Sequence, residues 1–203
     1  MDYPALFLIA FSLFTGRFLA VGWGGYLLLC LLTMVGLPLV YILYRGRRLG
    51  DYLIQAGGWR GGLAVSAALI AVALPVMYAG STLREFQEYY PMWPSAGESL
   101  SGFIVFELYT LAIMFATEFF YRGFMLKTLL DHTKYGNEAH ALIYMLAHVG
   151  KPGLEVIYSL PVGWLFARID MKYKSILPSL VMHYVSSVIF DWMILWQTGV
   201  RFF

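Results

Sequence analysis

Acidic, basic and hydrogen-bonding residues lie inside apolar stretches of this sequence. Glu118 and Arg122 are four residues apart. His183, Ser187 and Asp191 also recur every four residues. In a helix this spacing places the side chains on one face, and ionisable residues at membrane depth normally face the interior of a bundle. The two segments therefore predict helices that direct polar groups toward one interior.

A third apolar segment carries further groups of the same kind. His140, Tyr144 and His148 recur every four residues, and Glu155 follows His148 by seven residues. A turn that contains Pro152 separates these last two residues. Three predicted helices thus offer acid, base and hydrogen-bonding groups to the same space.

This set of side chains suits the hydrolysis of an amide. That reaction needs a general base for water, a proton donor for the leaving amine and a site that stabilises the tetrahedral oxyanion. One glutamate with two histidines can fill these roles. Two histidines and a carboxylate can also bind zinc, with water as the fourth ligand. The spacing alone leaves both alternatives open.

Several common catalytic motifs are absent from the sequence. It contains no His-Glu-x-x-His, no Gly-x-Ser-x-Gly, no P-loop and no Gly-x-Gly-x-x-Gly. The commonest zinc proteases, serine hydrolases and nucleotide-binding proteins are therefore disfavoured.

The composition is that of a membrane protein. Of 203 residues, 60% are hydrophobic and only 13% are charged, and the mean hydropathy is +0.69. A soluble domain does not have such a composition. The formal net charge of +2 is too small to suggest a nucleic-acid partner, so membrane lipids are the expected surroundings. The single cysteine, Cys30, excludes a disulfide framework within the chain and a cysteine-based metal site.

Runs without charge indicate the spanning segments. Residues 18–44 and 61–83 each exceed the roughly 20 residues needed to cross a hydrocarbon core of about 30 Å. Residues 102–130 predict one long helix with ionisable residues at membrane depth, and residues 3–16 a short or interfacial helix. The remaining segments are 139–149, 154–166 and 175–198. We therefore predict an all-α fold, a polytopic integral membrane bundle of six to eight transmembrane or interfacial helices in one domain, 1–203.

Basic residues in short loops predict the orientation. They form three clusters: Arg45, Arg47, Arg48 and Arg60; Lys127 and Lys134; and Arg168, Lys172 and Lys174. If all three face the cytoplasm, as the positive-inside rule favours, the loop at 84–101 lies on the opposite, external side.

Three motifs in the second half of the chain resemble those of the CPBP family, the CAAX-protease and bacteriocin-processing intramembrane proteins. Residues 117–123, Thr-Glu-Phe-Phe-Tyr-Arg-Gly, resemble the family's Glu-Glu-x-x-x-Arg-Gly. Residues 144–148 resemble its Phe-x-x-x-His, and residues 183–187 its His-x-x-x-Asn. The motifs follow in the family's order, and the resemblance covers roughly residues 102–192. It implies N-terminal spans with an external loop over 1–100 and a CPBP-like core over 101–198.

The resemblance implies an intramembrane endopeptidase like the CAAX prenyl proteases. Glu118 or Glu155, together with His148, would activate a water molecule that attacks a peptide bond. His183 and Ser187 would stabilise the oxyanion. The expected substrate is a peptide or a membrane-associated protein, and the expected location is a prokaryotic inner (plasma) membrane.

Two further residues are expected to position the site. Arg122 would orient Glu118, and Asp191 would either pair helices or orient His183. No cofactor is expected. A divalent metal such as zinc, held by His148, His183 and a carboxylate, is an alternative that we do not favour.

The sequence departs from the family pattern at two positions. Thr117 stands where the family has its first glutamate, and Ser187 stands where it has asparagine. Glu155 is the candidate replacement acid, in a His-x-x-Lys-Pro-x-x-Glu arrangement that starts at His148. The alternative function is a catalytically inactive CPBP-like membrane scaffold or binding protein. A transporter is a third alternative, which the lack of paired repeats does not favour.

Overall fold

The fold is built from helices throughout the part of the chain that the computed structural model describes, residues 3–18 and 22–202. Eight helices follow one another, and no strand forms in these ranges. They are α1 (Tyr3–Phe18), α2 (Gly22–Tyr44), α3 (Trp59–Ser81), α4 (Arg84–Gln87), α5 (Leu100–His132), α6 (Gly136–Ala147), α7 (Gly153–Tyr173) and α8 (Leu177–Gln197). The predicted all-α fold is confirmed.

Four of these helices are long and apolar enough to cross a membrane. They are α2, α3, α5 and α8. Each corresponds to a long apolar segment in the sequence. Such a segment forms a helix in a membrane, because a helix satisfies its own backbone hydrogen bonds where no water is available. The chain is therefore an integral membrane protein.

Helix α7 is longer than the sequence suggested. The predicted segment 154–166 stops before the charged residues, whereas the helix continues to Tyr173. Asp170 does not interrupt it, because its side chain is fully buried and Oδ1 accepts a hydrogen bond of 3.1 Å from the Ser179 amide. The helix ends at Tyr173, because the next residue, Lys174, has a left-handed φ of 52° that breaks the helical path.

Two basic clusters lie at the same end of the bundle. The amide of Gly58 donates a hydrogen bond of 2.8 Å to the carbonyl of Tyr173. This bond joins the loop at 45–58 to the turn at 173–176. The basic cluster at 45–60 therefore lies next to the basic cluster at 168–174. The arrangement agrees with the orientation that the charges predict.

The opposite end is formed by residues 82–99 and 198–202, which we call the loop end. Here Ala96, Phe103, Phe106 and Leu195 form a buried apolar cluster, against which Phe202 packs. The cluster joins the start of α5 to the end of α8.

Two helices contain π-helical turns. One covers Leu31–Gly36 in α2, and the other covers Phe119–Met125 in α5. All seven residues of the second turn are buried. It begins directly after Glu118 and contains Arg122, and such turns are frequent at functional sites.

Helix α3 packs closely on α8. A Cβ atom added to Gly62 would lie 2.6 Å from Cγ of Pro178. The hydroxyl oxygen of the buried Ser66 lies 2.9 Å from the Gly62 carbonyl oxygen and 3.0 Å from the Pro178 carbonyl oxygen. The small residue and the shared polar contact explain how the two helices approach each other.

Replacing Gly62 with valine is expected to lower the unfolding temperature, because the added side chain overlaps the rigid ring of Pro178. Overpacking of this kind typically costs about 1–3 kcal/mol. Thermal unfolding of the purified protein in detergent measures the effect. The matched control is Gly24→Ala, at an exposed site on α2 where an added Cβ meets nothing within 4 Å. Equal unfolding temperatures for wild type and Gly62→Val would contradict the close approach.

Candidate active site

A fully buried arginine lies at the centre of the polar residues. Arg122 on α5 has its Nε atom 3.2 Å from Oε2 of Glu118, and neither side chain is exposed. Its guanidinium carbon lies 3.8 Å from the ring centroid of Tyr144 on α6. The ion pair and the cation–π contact compensate for the burial of the positive charge.

Glu118 also contacts the last helix. Its Oε1 atom lies 2.7 Å from Nδ1 of His183 on α8. One carboxylate therefore links Arg122 on its own helix to a histidine 65 residues away. The His183 side chain remains 23% exposed, which leaves part of its ring accessible.

A second carboxyl group near Arg122 was not recognised in the sequence. Asp170 on α7 is fully buried and lies within electrostatic range of the guanidinium. It lies beyond the predicted segment 154–166. No local spacing in the sequence links it to Arg122.

Tyr144 lies between the two histidines. Its ring centroid is 4.5 Å from that of His148 and 6.5 Å from that of His183. The ring also packs closely on α7, where a Cβ atom on Gly163 would lie 2.7 Å from Tyr144 Cδ1. The glycine thus makes room for the tyrosine that separates the histidines.

His148 is held by its own helix and faces Glu155. Nδ1 lies 2.8 Å from the Tyr144 carbonyl oxygen, and Nε2 lies 4.0 Å from Oε1 of Glu155. A carbonyl oxygen only accepts hydrogen bonds, so Nδ1 carries the proton, and the neutral ring keeps a lone pair on Nε2. The predicted proximity of His148 and Glu155 is present in the structure.

Glu155 has two further partners. Lys151 Nζ lies 2.7 Å from Oε1, and the Tyr90 hydroxyl donates a hydrogen bond of 2.7 Å to Oε2. Burial, followed by the negative charge of Glu155, raises the pKa of Tyr90 well above its usual range. The hydroxyl therefore remains a donor at neutral pH. Sequence analysis missed Tyr90 because it belongs to the loop before α5 and lies in no motif.

Thr117 and two of the predicted site residues, Ser187 and Asp191, make other contacts. Thr117 donates a hydrogen bond of 2.9 Å to the Ile113 carbonyl and supplies no carboxylate. Ser187 Oγ lies 3.4 Å from Oδ2 of Asp191. Glu118, rather than Asp191, is the carboxylate that contacts Nδ1 of His183.

A three-ligand metal site is not formed by the described residues. Among residues 3–18 and 22–202, no group of three or more His, Cys, Asp or Glu side chains is arranged to hold a metal ion. His148 and His183 each have Nδ1 engaged, by a carbonyl oxygen and by a carboxylate.

Comparison with known families points to the same part of the chain. Residues 99–189 match the family model described as type II CAAX prenyl endopeptidase Rce1-like. The match is consistent with the CPBP family and covers a little under half of the chain. No curated protein and no solved structure matches significantly. Over this segment the chain is therefore similar to the type II CAAX prenyl endopeptidases, in agreement with the resemblance of its motifs.

The Rce1-like segment contains most of the residues described above, from Glu118 and Arg122 to His148, Glu155 and His183. Tyr90 and Asp191 lie outside it. Part of the polar arrangement is therefore contributed by residues beyond the Rce1-like segment.

Replacing Arg122 with methionine is expected to destabilise the protein strongly, because Glu118 would remain buried without its cation. Breaking one partner of a buried pair typically costs about 3–5 kcal/mol. Adding Glu118→Gln to this variant is expected to restore a substantial part of the loss. Unfolding in mixed micelles with increasing sodium dodecyl sulfate measures both effects.

The exposed pair Arg84–Glu88, with the same spacing of four residues, provides the control. Arg84→Met is expected to change stability little, because solvent screens this pair. A double variant no more stable than Arg122→Met alone would show that Glu118 and Arg122 do not act as a pair.

Proposed function

We propose that this protein is an intramembrane endopeptidase that hydrolyses a peptide bond with a water molecule activated by His148 and Glu155. The supporting observation is the distance of 4.0 Å between His148 Nε2 and Glu155 Oε1. The two atoms are too far apart for a direct hydrogen bond. A water molecule at about 2.8 Å from each can bridge them.

In this mechanism the water donates one hydrogen to each of the two acceptors. Its oxygen lone pairs are then free to attack the carbonyl carbon of the substrate. His148 Nε2 takes the proton as the carbon–oxygen bond forms, and it later delivers that proton to the nitrogen of the departing amine. The carbon–nitrogen bond breaks, and no cofactor is required.

His183 is assigned to the oxyanion. The Glu118 carboxylate accepts from Nδ1 and stabilises the protonated ring, whose Nε2–H then donates to the developing negative charge. Arg122 holds Glu118 in place. Ser187, the second predicted donor, has its hydroxyl directed to Asp191, so we assign stabilisation of the oxyanion to His183 alone.

The proposed substrate is a peptide segment that reaches the site from the membrane or from its cytoplasmic surface. A prenylated substrate is suggested only by the description of the matching family. A prokaryotic inner membrane remains the location predicted from the sequence.

A second candidate function is a non-catalytic membrane scaffold or binding protein. The observation that favours it is Thr117, whose hydroxyl is bound to the backbone where the family has a glutamate. The contacts of Glu118 with Arg122 and His183 are also those of a closed structural network.

Cleavage of a library of membrane-anchored peptides by the purified protein in nanodiscs separates these functions. Glu155→Gln and His148→Ala are expected to lower kcat by about 10²–10⁴-fold, the usual contribution of general acid–base catalysis. His183→Ala is expected to lower kcat by about 10²–10³-fold, because an oxyanion donor is lost.

The control is His132→Ala, at the far end of α5, which should cleave like the wild type. Cleavage by the wild type should also survive a metal chelator. No cleavage by the folded wild-type protein, or full cleavage by Glu155→Gln and His148→Ala, would favour the scaffold.

Replacing Tyr90 with phenylalanine is expected to lower kcat by about tenfold with little change in KM, because Glu155 loses the hydrogen bond on Oε2 that holds its other oxygen toward His148. Tyr89→Phe is the matched control, since the Tyr89 hydroxyl makes no hydrogen bond to Glu155 within the described structure. Equal kcat values for the two variants would remove Tyr90 from the mechanism.

A further inference from the structure

A pair of acidic side chains outside the proposed mechanism has unpartnered oxygen atoms. Glu107 on α5 is 5% exposed, and Asp191 on α8 is 1% exposed. Neither carboxyl oxygen of Glu107, nor Oδ1 of Asp191, has a hydrogen-bond partner among the described residues. Buried polar groups in proteins are nearly always hydrogen-bonded, because leaving them bare is costly.

The two carboxyl groups belong to one helix interface. Phe103, one turn before Glu107, has its ring centroid 5.5 Å from that of Trp192, the neighbour of Asp191. Ser187 extends the group, with its hydroxyl 3.4 Å from Asp191 Oδ2. Electrostatic coupling between Glu107 and Asp191 agrees with this placement. Together the three polar residues line the contact between α5 and α8.

This polar group lies inside the bundle, a short distance from the loop end. Glu107 is seven residues from the start of α5, and Asp191 is six from the end of α8. At a rise of about 1.5 Å per residue, both lie about 10 Å inside the bundle. Asp191 is also within electrostatic range of Lys151 and Glu155.

We infer that Glu107, Ser187 and Asp191 bind a short chain of water molecules that leads from the loop end to Glu155 and His148. A buried water makes two to four hydrogen bonds in polar sites, which matches the unpartnered oxygens found here. The side chains of the three residues offer fewer oxygen atoms than the roughly six to eight oxygen ligands that Ca²⁺ takes.

A water route through the bundle would supply the water that peptide hydrolysis consumes. Each hydrolysed peptide bond consumes one water molecule, and the surrounding hydrocarbon supplies none. The delivery of water to a reaction rests on the proposed function, whereas the binding of water by the three residues does not.

Radiolytic footprinting of the protein in nanodiscs tests the inference directly. X-ray pulses generate hydroxyl radicals from bound water, and mass spectrometry locates the oxidised side chains. Tyr184, which is within electrostatic range of Glu107, is expected to be oxidised about tenfold faster than Phe115. Phe115 lies on the same helix as Glu107 and is 39% exposed at the bundle surface, where lipid replaces water.

Two substitutions at one position provide the matched comparison. Glu107→Leu is expected to reduce oxidation of Tyr184 severalfold, because the leucine cannot bind water, whereas Glu107→Gln should largely preserve it. Oxidation of Tyr184 no faster than that of Phe115 would overturn the inference. So would an oxidation rate that Glu107→Leu leaves unchanged.

Peptide cleavage by the wild-type protein, measured alongside the footprinting, distinguishes the two proposals. Rapid oxidation of Tyr184 in a wild-type protein that cleaves no peptide would support bound water and reject the endopeptidase. Cleavage by the wild type with slow oxidation of Tyr184 would support the endopeptidase and reject this water route.

Discussion

The buried guanidinium of Arg122 is the constraint on which the other polar contacts depend. A charge at membrane depth is costly unless a partner compensates for it, and Arg122 receives its partners from several helices. Glu118 comes from α5 itself and Tyr144 from α6, and the ring centroid of Phe166 on α7 lies 5.7 Å from the guanidinium carbon. Glu118 in turn contacts His183 on α8. Four helices are therefore arranged around a single charge.

The two glutamates near the histidines have different surroundings and therefore suit different tasks. Glu118 is fully enclosed between a cation and a histidine, so it serves to hold other groups. Glu155 lies just past the turn after α6, with Lys151 on one oxygen and Tyr90 on the other. Oε1 of Glu155 lies 4.0 Å from Nε2 of His148, a distance that a single water molecule can bridge. This contrast makes Glu155 the better candidate to replace the acid that Thr117 lacks.

Sequence periodicity was sufficient to predict the main helices and the contacts between residues that are close together in the sequence. The four long apolar helices, the Glu118–Arg122 pair and the approach of Glu155 to His148 follow from spacing and from the turn at Pro152. Asp170 and Tyr90 could not be found in this way. Each reaches the site through tertiary packing, and Tyr90 is 65 residues from Glu155. Periodicity also could not predict the full length of α7, since a charge that is satisfied in the folded chain does not end a helix.

The hydrogen bond from Tyr90 to Glu155 crosses the boundary of the Rce1-like segment, residues 99–189. The segment is therefore not an independent module. Transplanted onto the N-terminal helices of a distant relative, it would bring His148 and Glu155 but leave Glu155 without its hydroxyl partner. A change at Tyr90 in the loop before α5 therefore alters the surroundings of Glu155 after α6, although the two residues are 65 positions apart in the sequence.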